Sequence, residues 1–81
     1  MPPPLMPAPQ IVHVEDFAIG VRTNTLCVVR IAGGLAGQWH CFCGEALALP
    51  LTHLTMDEAL RHAKQDLHRH YREAHAAESQ P

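Results

Sequence analysis

Two closely spaced cysteines and a group of histidines are the residues of this chain best suited to bind a metal ion. Cys41 and Cys43 are two residues apart, and Gly44 follows them directly. Side chains two apart in a strand point to the same face, so both thiolates can reach one ion, and a glycine lets the chain turn sharply after them. Five of the seven histidines lie between residues 53 and 75: His53, His62, His68, His70 and His75.

Two thiolates and two imidazoles are a common tetrahedral ligand set for structural Zn²⁺. His70 and His75 are five residues apart on a predicted helix, a spacing that zinc fingers use, and we therefore expect Cys41, Cys43, His70 and His75 to bind zinc. Asp66 stands four residues before His70 on the same helix face and is the alternative fourth ligand. A third set would include both His62 and Asp66, which drift away from the apolar stripe of the helix.

A predicted β-hairpin would position the two candidate thiols. Residues 25–32 are dense in β-branched side chains and predict the best strand, with Cys27 as a core residue. A glycine-rich loop over residues 33–37 predicts a reversal into a returning strand that carries both candidate thiols. The predicted β-runs are 11–14 and 17–22, separated by a bend at Glu15 and Asp16, then 25–32 after a turn at Asn24, and 38–43.

A predicted C-terminal helix would position the candidate histidine ligands. Thr55 is a predicted N-cap, and Glu58 stands three residues later as a capping box requires. The helix is predicted over residues 56–76, with its buried stripe at Met56, Leu60, Ala63, Leu67, Tyr71 and Ala74.

These elements predict an α+β fold in which a small antiparallel sheet packs against one C-terminal helix, as in zinc fingers. The sheet has three strands, and residues 45–54 form either a fourth short strand or a packed loop. Residues 1–10 hold five of the seven prolines and predict a disordered tail. The domain is expected over residues 11–76, and residues 77–81 are a predicted frayed tail.

The amino-acid composition excludes several classes of protein. The chain has 81 residues and a formal net charge of −2, which excludes a strongly basic nucleic-acid binder of the ribosomal type. Its three cysteines argue against a disulfide framework. We expect a cytoplasmic protein with no membrane span, because no signal-type or long apolar stretch is present. A domain this small often adds a metal to a limited core.

Residues 39–75, from Trp-His-Cys-Phe-Cys-Gly through Ala-Leu-Arg-His-Ala to Leu-His-Arg-His and His75, resemble small bacterial and phage zinc-finger-like proteins. In those proteins a hairpin ending in a Cys-x-Cys-Gly turn is followed by an Ala-rich helix that carries histidines. The resemblance implies a structural zinc ion and a similar fold. In those proteins the helical histidines usually stand closer together, and here Asp66 occupies a position where a histidine would be expected.

We expect no enzymatic activity, because the serine-hydrolase, zinc-protease and phosphate-loop motifs are absent. Cys43 with His70 would be the nucleophile and base of an enzymatic alternative. The favoured function is a small regulatory module that acts through a protein partner. An unpaired sheet edge at residues 11–14 could also pair with a second copy of the chain and form a homodimer.

Nucleic-acid binding is the alternative function. Basic side chains recur at three- and four-residue spacing along one side of the predicted helix, and such a strip can lie against phosphates. Acidic residues on the same helix dilute its charge. The candidate nucleic-acid or partner-binding residues are Arg61, Lys64, His68, Arg69 and Arg72.

Overall fold

The computed structural model describes residues 10–76, which form four strands followed by one helix. The elements are β1 (Gln10–Ile19), β2 (Arg22–Ile31), β3 (Gly34–His40), β4 (Ala46–Ala48) and α1 (Met56–Ala74). Gln10, predicted to end the proline-rich tail, is the first residue of β1. The rest of that tail and the predicted tail at 77–81 lie outside the described residues.

The sheet is antiparallel, and each strand pairs with its neighbour in the chain, in the order β1-β2-β3-β4. Helix α1 packs on β2 and β3. The predicted α+β fold is thus confirmed, and residues 46–48 form the short fourth strand. Within residues 10–76, no helix has the length and apolarity needed to cross a lipid bilayer.

The first hairpin differs from the prediction. β1 runs without a break through Glu15 and Asp16, because it pairs with β2 along this whole stretch, and the predicted bend there is wrong. The chain reverses at Gly20 and Val21, so the predicted turn at Asn24 is also wrong. Asn24 lies inside β2 and is buried, and its amide is satisfied by partners from other elements.

The second hairpin is tighter than predicted, and Gly37 lies inside its returning strand. The chain turns at residues 32–33, and Gly34–Gly37 belong to β3 instead of a loop. A Cβ at Gly37 would lie 2.5 Å from the carbonyl oxygen of Ala59 and 3.1 Å from the Cβ of Ala63. Glycine is therefore required here by the close approach of α1 to the sheet.

Helix α1 begins as predicted, because the backbone N–H of Glu58 donates a hydrogen bond to Oγ1 of Thr55 at 3.2 Å. It ends at Ala74 instead of residue 76. The buried side chains are Ala59, Ala63, Leu67, His70 and Tyr71. Met56 and Ala74, predicted to be buried, are exposed, because they are the first and last residues of α1 and lie beyond the buried stretch from Ala59 to Tyr71.

The core lies between α1 and the sheet and reaches the end of β3. Its main cluster consists of Leu26, Trp39, Cys41, Ala63, Leu67 and Tyr71. Cys27 is buried in β2, as predicted for a core residue. Since Cys41 belongs to this cluster, the first of the two candidate thiols is built into the core.

Candidate metal centre

The segment between β3 and β4, residues 41–45, is a tight turn that we call the knuckle. The backbone N–H of Cys41 donates to the carbonyl of Glu45 at 2.7 Å, and that of Gly44 donates to the carbonyl of Cys41 at 3.0 Å. Gly44 has a φ of 97°, a conformation that favours glycine. The knuckle holds Cys41 in the buried core and leaves Cys43 exposed at the surface.

Helix α1 brings two histidines to this knuckle. Nε2 of His70 lies 3.5 Å from Sγ of Cys43, and Nε2 of His75 lies 3.6 Å from Sγ of Cys41. The four ligand atoms all lie within 4.8 Å of one another. The structure therefore brings together the four residues that the sequence placed first, in an arrangement that could hold a metal ion.

The five-residue spacing of the histidines is accommodated by the end of the helix. On a regular helix, residues five apart diverge by roughly 140°. His75 lies just beyond the last helical residue, with φ −129° and ψ 28°, while its backbone N–H still donates to Tyr71 at 2.8 Å. This departure from helical geometry lets His75 face the same point as His70.

His70 is oriented by groups on both sides of its ring. The ring stacks on Trp39, with the centroids 4.6 Å apart and the planes inclined by 29°. Oε2 of Glu45, in the knuckle, lies 3.5 Å from Nδ1 of His70. A carboxylate at Nδ1 favours a proton on that nitrogen and leaves Nε2 free to ligate, as is usual for metal-binding histidines.

Asp66, the alternative fourth ligand, lies outside the four-residue group. Its carboxylate accepts hydrogen bonds from Nε1 of Trp39 at 2.7 Å and from the Arg69 guanidinium at 2.8 and 3.0 Å. Hydrogen bonds from Arg69 lower the pKa of Asp66, and the bond from Trp39 adds to this effect. Asp66 thus supports the centre indirectly by fixing the Trp39 ring on which His70 stacks.

Asn24 is a supporting residue that sequence reasoning missed. Its Oδ1 accepts hydrogen bonds from the backbone N–H of Phe42 at 3.0 Å and from the Tyr71 hydroxyl at 3.1 Å. Its Nδ2 donates to the carbonyl of Phe17 at 3.2 Å. One buried amide therefore joins β1, the knuckle and α1. The available signal in the sequence was an asparagine directly before the β-branched run at residues 25–32.

Burial and the neighbouring thiol affect the ionisation of Cys41. Burial is the main reason that the pKa of the Cys41 thiol is raised, because desolvation disfavours the thiolate. The Cys43 thiol nearby adds to this effect. A divalent ion would offset the cost of two adjacent thiolates, because metal-bound cysteines are deprotonated.

The other predicted site residues lie away from this centre. His62 packs against His53, with centroids 4.3 Å apart. In the basic strip, Lys64 lies over the Phe17 ring at 5.4 Å and His68 meets the edge of the same ring at 5.8 Å.

Arg69, also in the strip, is paired with acidic side chains: Asp66 at 2.8 Å and Glu73 at 2.6 Å. Arg61 and Arg72 are exposed. The five residues therefore do not form one continuous, unpaired basic surface.

Within residues 10–76, Cys41, Cys43, His70 and His75 are the one group of three or more potential ligands that converges in this way. Two sulfurs and two nitrogens at these separations could bind a transition-metal ion through four protein ligands. No protein-family model, curated protein or solved structure matches this chain.

Proposed function

We propose that this chain is a small, non-enzymatic zinc-binding module whose metal centre fastens the knuckle to the C-terminal end of α1. In this proposal the folded domain acts as a regulatory module by presenting its surface to a protein partner. The observation that carries the proposal is the convergence of two thiol sulfurs and two imidazole nitrogens within 4.8 Å.

Zinc is favoured by the ligand chemistry and by the distances. Zn–S bonds of about 2.3 Å and Zn–N bonds of about 2.0–2.1 Å at a tetrahedral angle imply a sulfur–nitrogen separation of about 3.5 Å. The two sulfur–nitrogen distances are 3.5 and 3.6 Å. Soft thiolates together with imidazoles select zinc over the hard cations Mg²⁺ and Ca²⁺, which prefer oxygen.

A structural role for the ion is favoured over a catalytic one. Catalytic zinc has three protein ligands and keeps a position for water or substrate, whereas structural zinc has four protein ligands. Here two ligands come from the knuckle and two from the end of α1, so an ion would join parts of the chain about 30 residues apart. A domain this small gains much of its stability from such a link.

Two features favour a protein partner over a nucleic acid. The formal net charge is −2, and Arg69 in the basic strip is already paired with two carboxylates. Long-range attraction to phosphates would therefore be weak. Several large apolar side chains are exposed, among them Leu51 at 61% and Leu54 at 91%, and a protein partner could bury them, whereas phosphates could not.

Native mass spectrometry with and without a chelator tests the metal centre. We expect each chain to carry one Zn²⁺, which the chelator removes. Cys43→Ser and His70→Ala should abolish tight zinc binding, whereas Cys27→Ala and His68→Ala, which alter residues outside the group, should retain it. Because Cys43 is exposed, its substitution tests ligation without disturbing the core. Retention of tight zinc binding by both ligand variants would overturn the proposal.

The interaction role requires a separate test. The zinc-loaded chain should bind a protein partner and should not bind duplex DNA or RNA at low salt. Nucleic-acid affinity that falls steeply as salt is added, and that is lost in Arg61→Glu with Arg72→Glu, would instead support the alternative function.

A further inference from the structure

A pocket between α1 and residues 49–53 is lined by none of the four candidate metal ligands. Its volume is about 320 Å³, at the lower end of the range for ligand sites. Leu49, Pro50 and Leu51 form one wall, and His62, Gln65 and Arg72 of α1 contribute to the other. We call this cavity the helix–loop pocket.

The apolar wall is held in place by the sheet. The backbone N–H of Leu49 donates to the carbonyl of Gly37 at 2.9 Å. At the other end of the loop, Leu35 and His53 exchange two backbone hydrogen bonds, of 3.0 and 2.7 Å. Both ends of residues 49–53 are therefore attached to β3, so a ligand would meet a wall that is already formed.

The polar wall carries a cation that has no counterion among the described residues. Asp66 and Arg69 also line the pocket, but they are paired with each other. Across residues 10–76, no carboxylate lies within ion-pair distance of the exposed Arg72 guanidinium. Arg72 and Gln65 thus contribute hydrogen-bond donors to a pocket that is also lined by Leu49, Pro50 and Leu51.

One residue that lines the pocket, His53, has a buried ring nitrogen without a partner among the described residues. The His53 side chain is 9% exposed, and its Nε2 has no hydrogen-bond partner within the described part of the chain. The His62 ring packs on it with the centroids 4.3 Å apart. Buried polar atoms without partners are rare in folded proteins and often lie where a ligand or a water binds.

We propose that the helix–loop pocket binds an acidic segment of a protein partner. An apolar side chain of that segment would lie against Leu49 and Leu51, while a neighbouring carboxylate would accept hydrogen bonds from Arg72 and Gln65. A guanidinium is well suited to this task, because it can bind a carboxylate through two parallel hydrogen bonds. This inference rests on the proposed interaction function and names the chemistry of the partner.

The test is a titration of the ¹⁵N-labelled, zinc-loaded chain followed by NMR. The probe is acetyl-Leu-Glu-Leu-Glu-amide, and the matched control peptide has glutamine in place of glutamate. We expect the acidic peptide to bind with a dissociation constant on the order of 1 mM, because a small pocket supports few contacts. Chemical-shift changes should be confined to residues 49–53 and to the pocket face of α1, with the neutral peptide binding much more weakly.

Charge-reversal variants distinguish peptide binding in the helix–loop pocket from nonspecific attraction between charges. Arg72→Glu should weaken binding of the acidic peptide by about tenfold or more, whereas Arg61→Glu, another exposed arginine of α1 outside the pocket, should change it less than about twofold. Arg72→Gln serves as a milder variant in case the reversal disturbs folding.

Four outcomes would overturn the inference: no shift changes at saturating peptide, equal binding of both peptides, equal weakening by both reversals, or shift changes of the same residues by a short DNA duplex. Native mass spectrometry on the same samples reports zinc. Failure of peptide binding in a fully zinc-loaded chain would therefore count against the pocket and leave the metal centre intact.

Discussion

His70, one of the four candidate ligands, is contacted on several sides of its ring. Its ring is stacked on Trp39, its Nδ1 faces Glu45, and its Nε2 faces Cys43. Since the ring is already aimed at the thiol, binding an ion would require little loss of side-chain freedom. Such preorganisation raises affinity because less ordering is needed when the ion binds.

Glu45→Gln should weaken zinc binding by about tenfold, because removing a carboxylate that orients a metal-binding histidine typically costs 10–100-fold in affinity. We expect the low end of that range, since the Glu45 side chain is 69% exposed. Competition with a chromophoric chelator measures the change. Glu73→Gln is the matched control, because Glu73 is similarly exposed and pairs with Arg69. Equal losses in the two variants would show that Glu45 acts only through general charge.

Asp66→Asn should lower the free energy of unfolding of the zinc-loaded chain by about 1–2 kcal/mol, because it removes charged hydrogen bonds to Arg69 and Trp39. The figure is modest because the Arg69 side chain is 40% exposed to screening solvent. Urea unfolding measures the difference. Asp16→Asn, at an exposed position of β1, should leave the stability nearly unchanged.

The pH dependence of this difference follows from the lowered pKa of Asp66. A carboxyl group with a lowered pKa in the folded state contributes its full stability above the ordinary Asp pKa of about 3.9, and that stability is lost as pH falls through the lowered value. The gap between wild type and Asp66→Asn should therefore stay constant from about pH 6 to about pH 8. A gap that shrinks steadily across this range would assign the effect to another group.

At the scale of elements, sequence patterns located the sheet and the helix but misplaced the turns. Thr55 and Glu58 marked the start of α1, because capping depends on residues close in the chain. The run at 33–37 looked like a loop because three glycines fall within five residues. One of them, Gly37, is instead required by contact with Ala59 and Ala63 of α1, which lie more than twenty residues later, and local patterns do not contain that contact.

Gly37→Ala should destabilise the fold by about 1–3 kcal/mol, the usual cost of overpacking, because its Cβ would lie 2.5 Å from backbone of α1. Thermal unfolding followed by circular dichroism measures the effect. The matched control is Gly20→Asn, since no atom lies within 4 Å of a Cβ at Gly20 and asparagine tolerates its φ of 60°. Similar losses at the two positions would mean that flexibility, instead of helix packing, explains Gly37.

The four candidate ligands could be predicted because donor chemistry and spacing are visible in a sequence. Their supporting residues could not. Glu45 reaches His70 only because the knuckle folds back beside α1, and Asn24 joins three elements that are distant in the chain. The geometry at the end of α1 also determines that His75, and not Asp66, is the fourth candidate ligand. Helix ends are where sequence patterns are least reliable.

At the scale of the whole molecule, α1 is attached to the sheet in two ways. Near its start, Ala59 and Ala63 pack closely against Gly37. Near its end, His70 and His75 face the two thiols of the knuckle. The first attachment depends on packing alone, whereas the second combines a hydrophobic cluster with the candidate metal centre. The two ends should therefore respond differently when the metal is removed.

Chelation of zinc should release the C-terminal attachment first. In hydrogen exchange followed by NMR, backbone amides of the knuckle and of the last turn of α1 should exchange at least about tenfold faster, because opening there no longer breaks metal bonds. Amides of Leu26 and Val28, which are fully buried in the sheet, should keep most of their protection. Adding Zn²⁺ back should restore the original rates, and His75→Ala should reproduce the chelated pattern. Simultaneous loss of protection at all amides would mean that the metal holds the entire fold, and unchanged rates at the knuckle would mean that no ion fastens it.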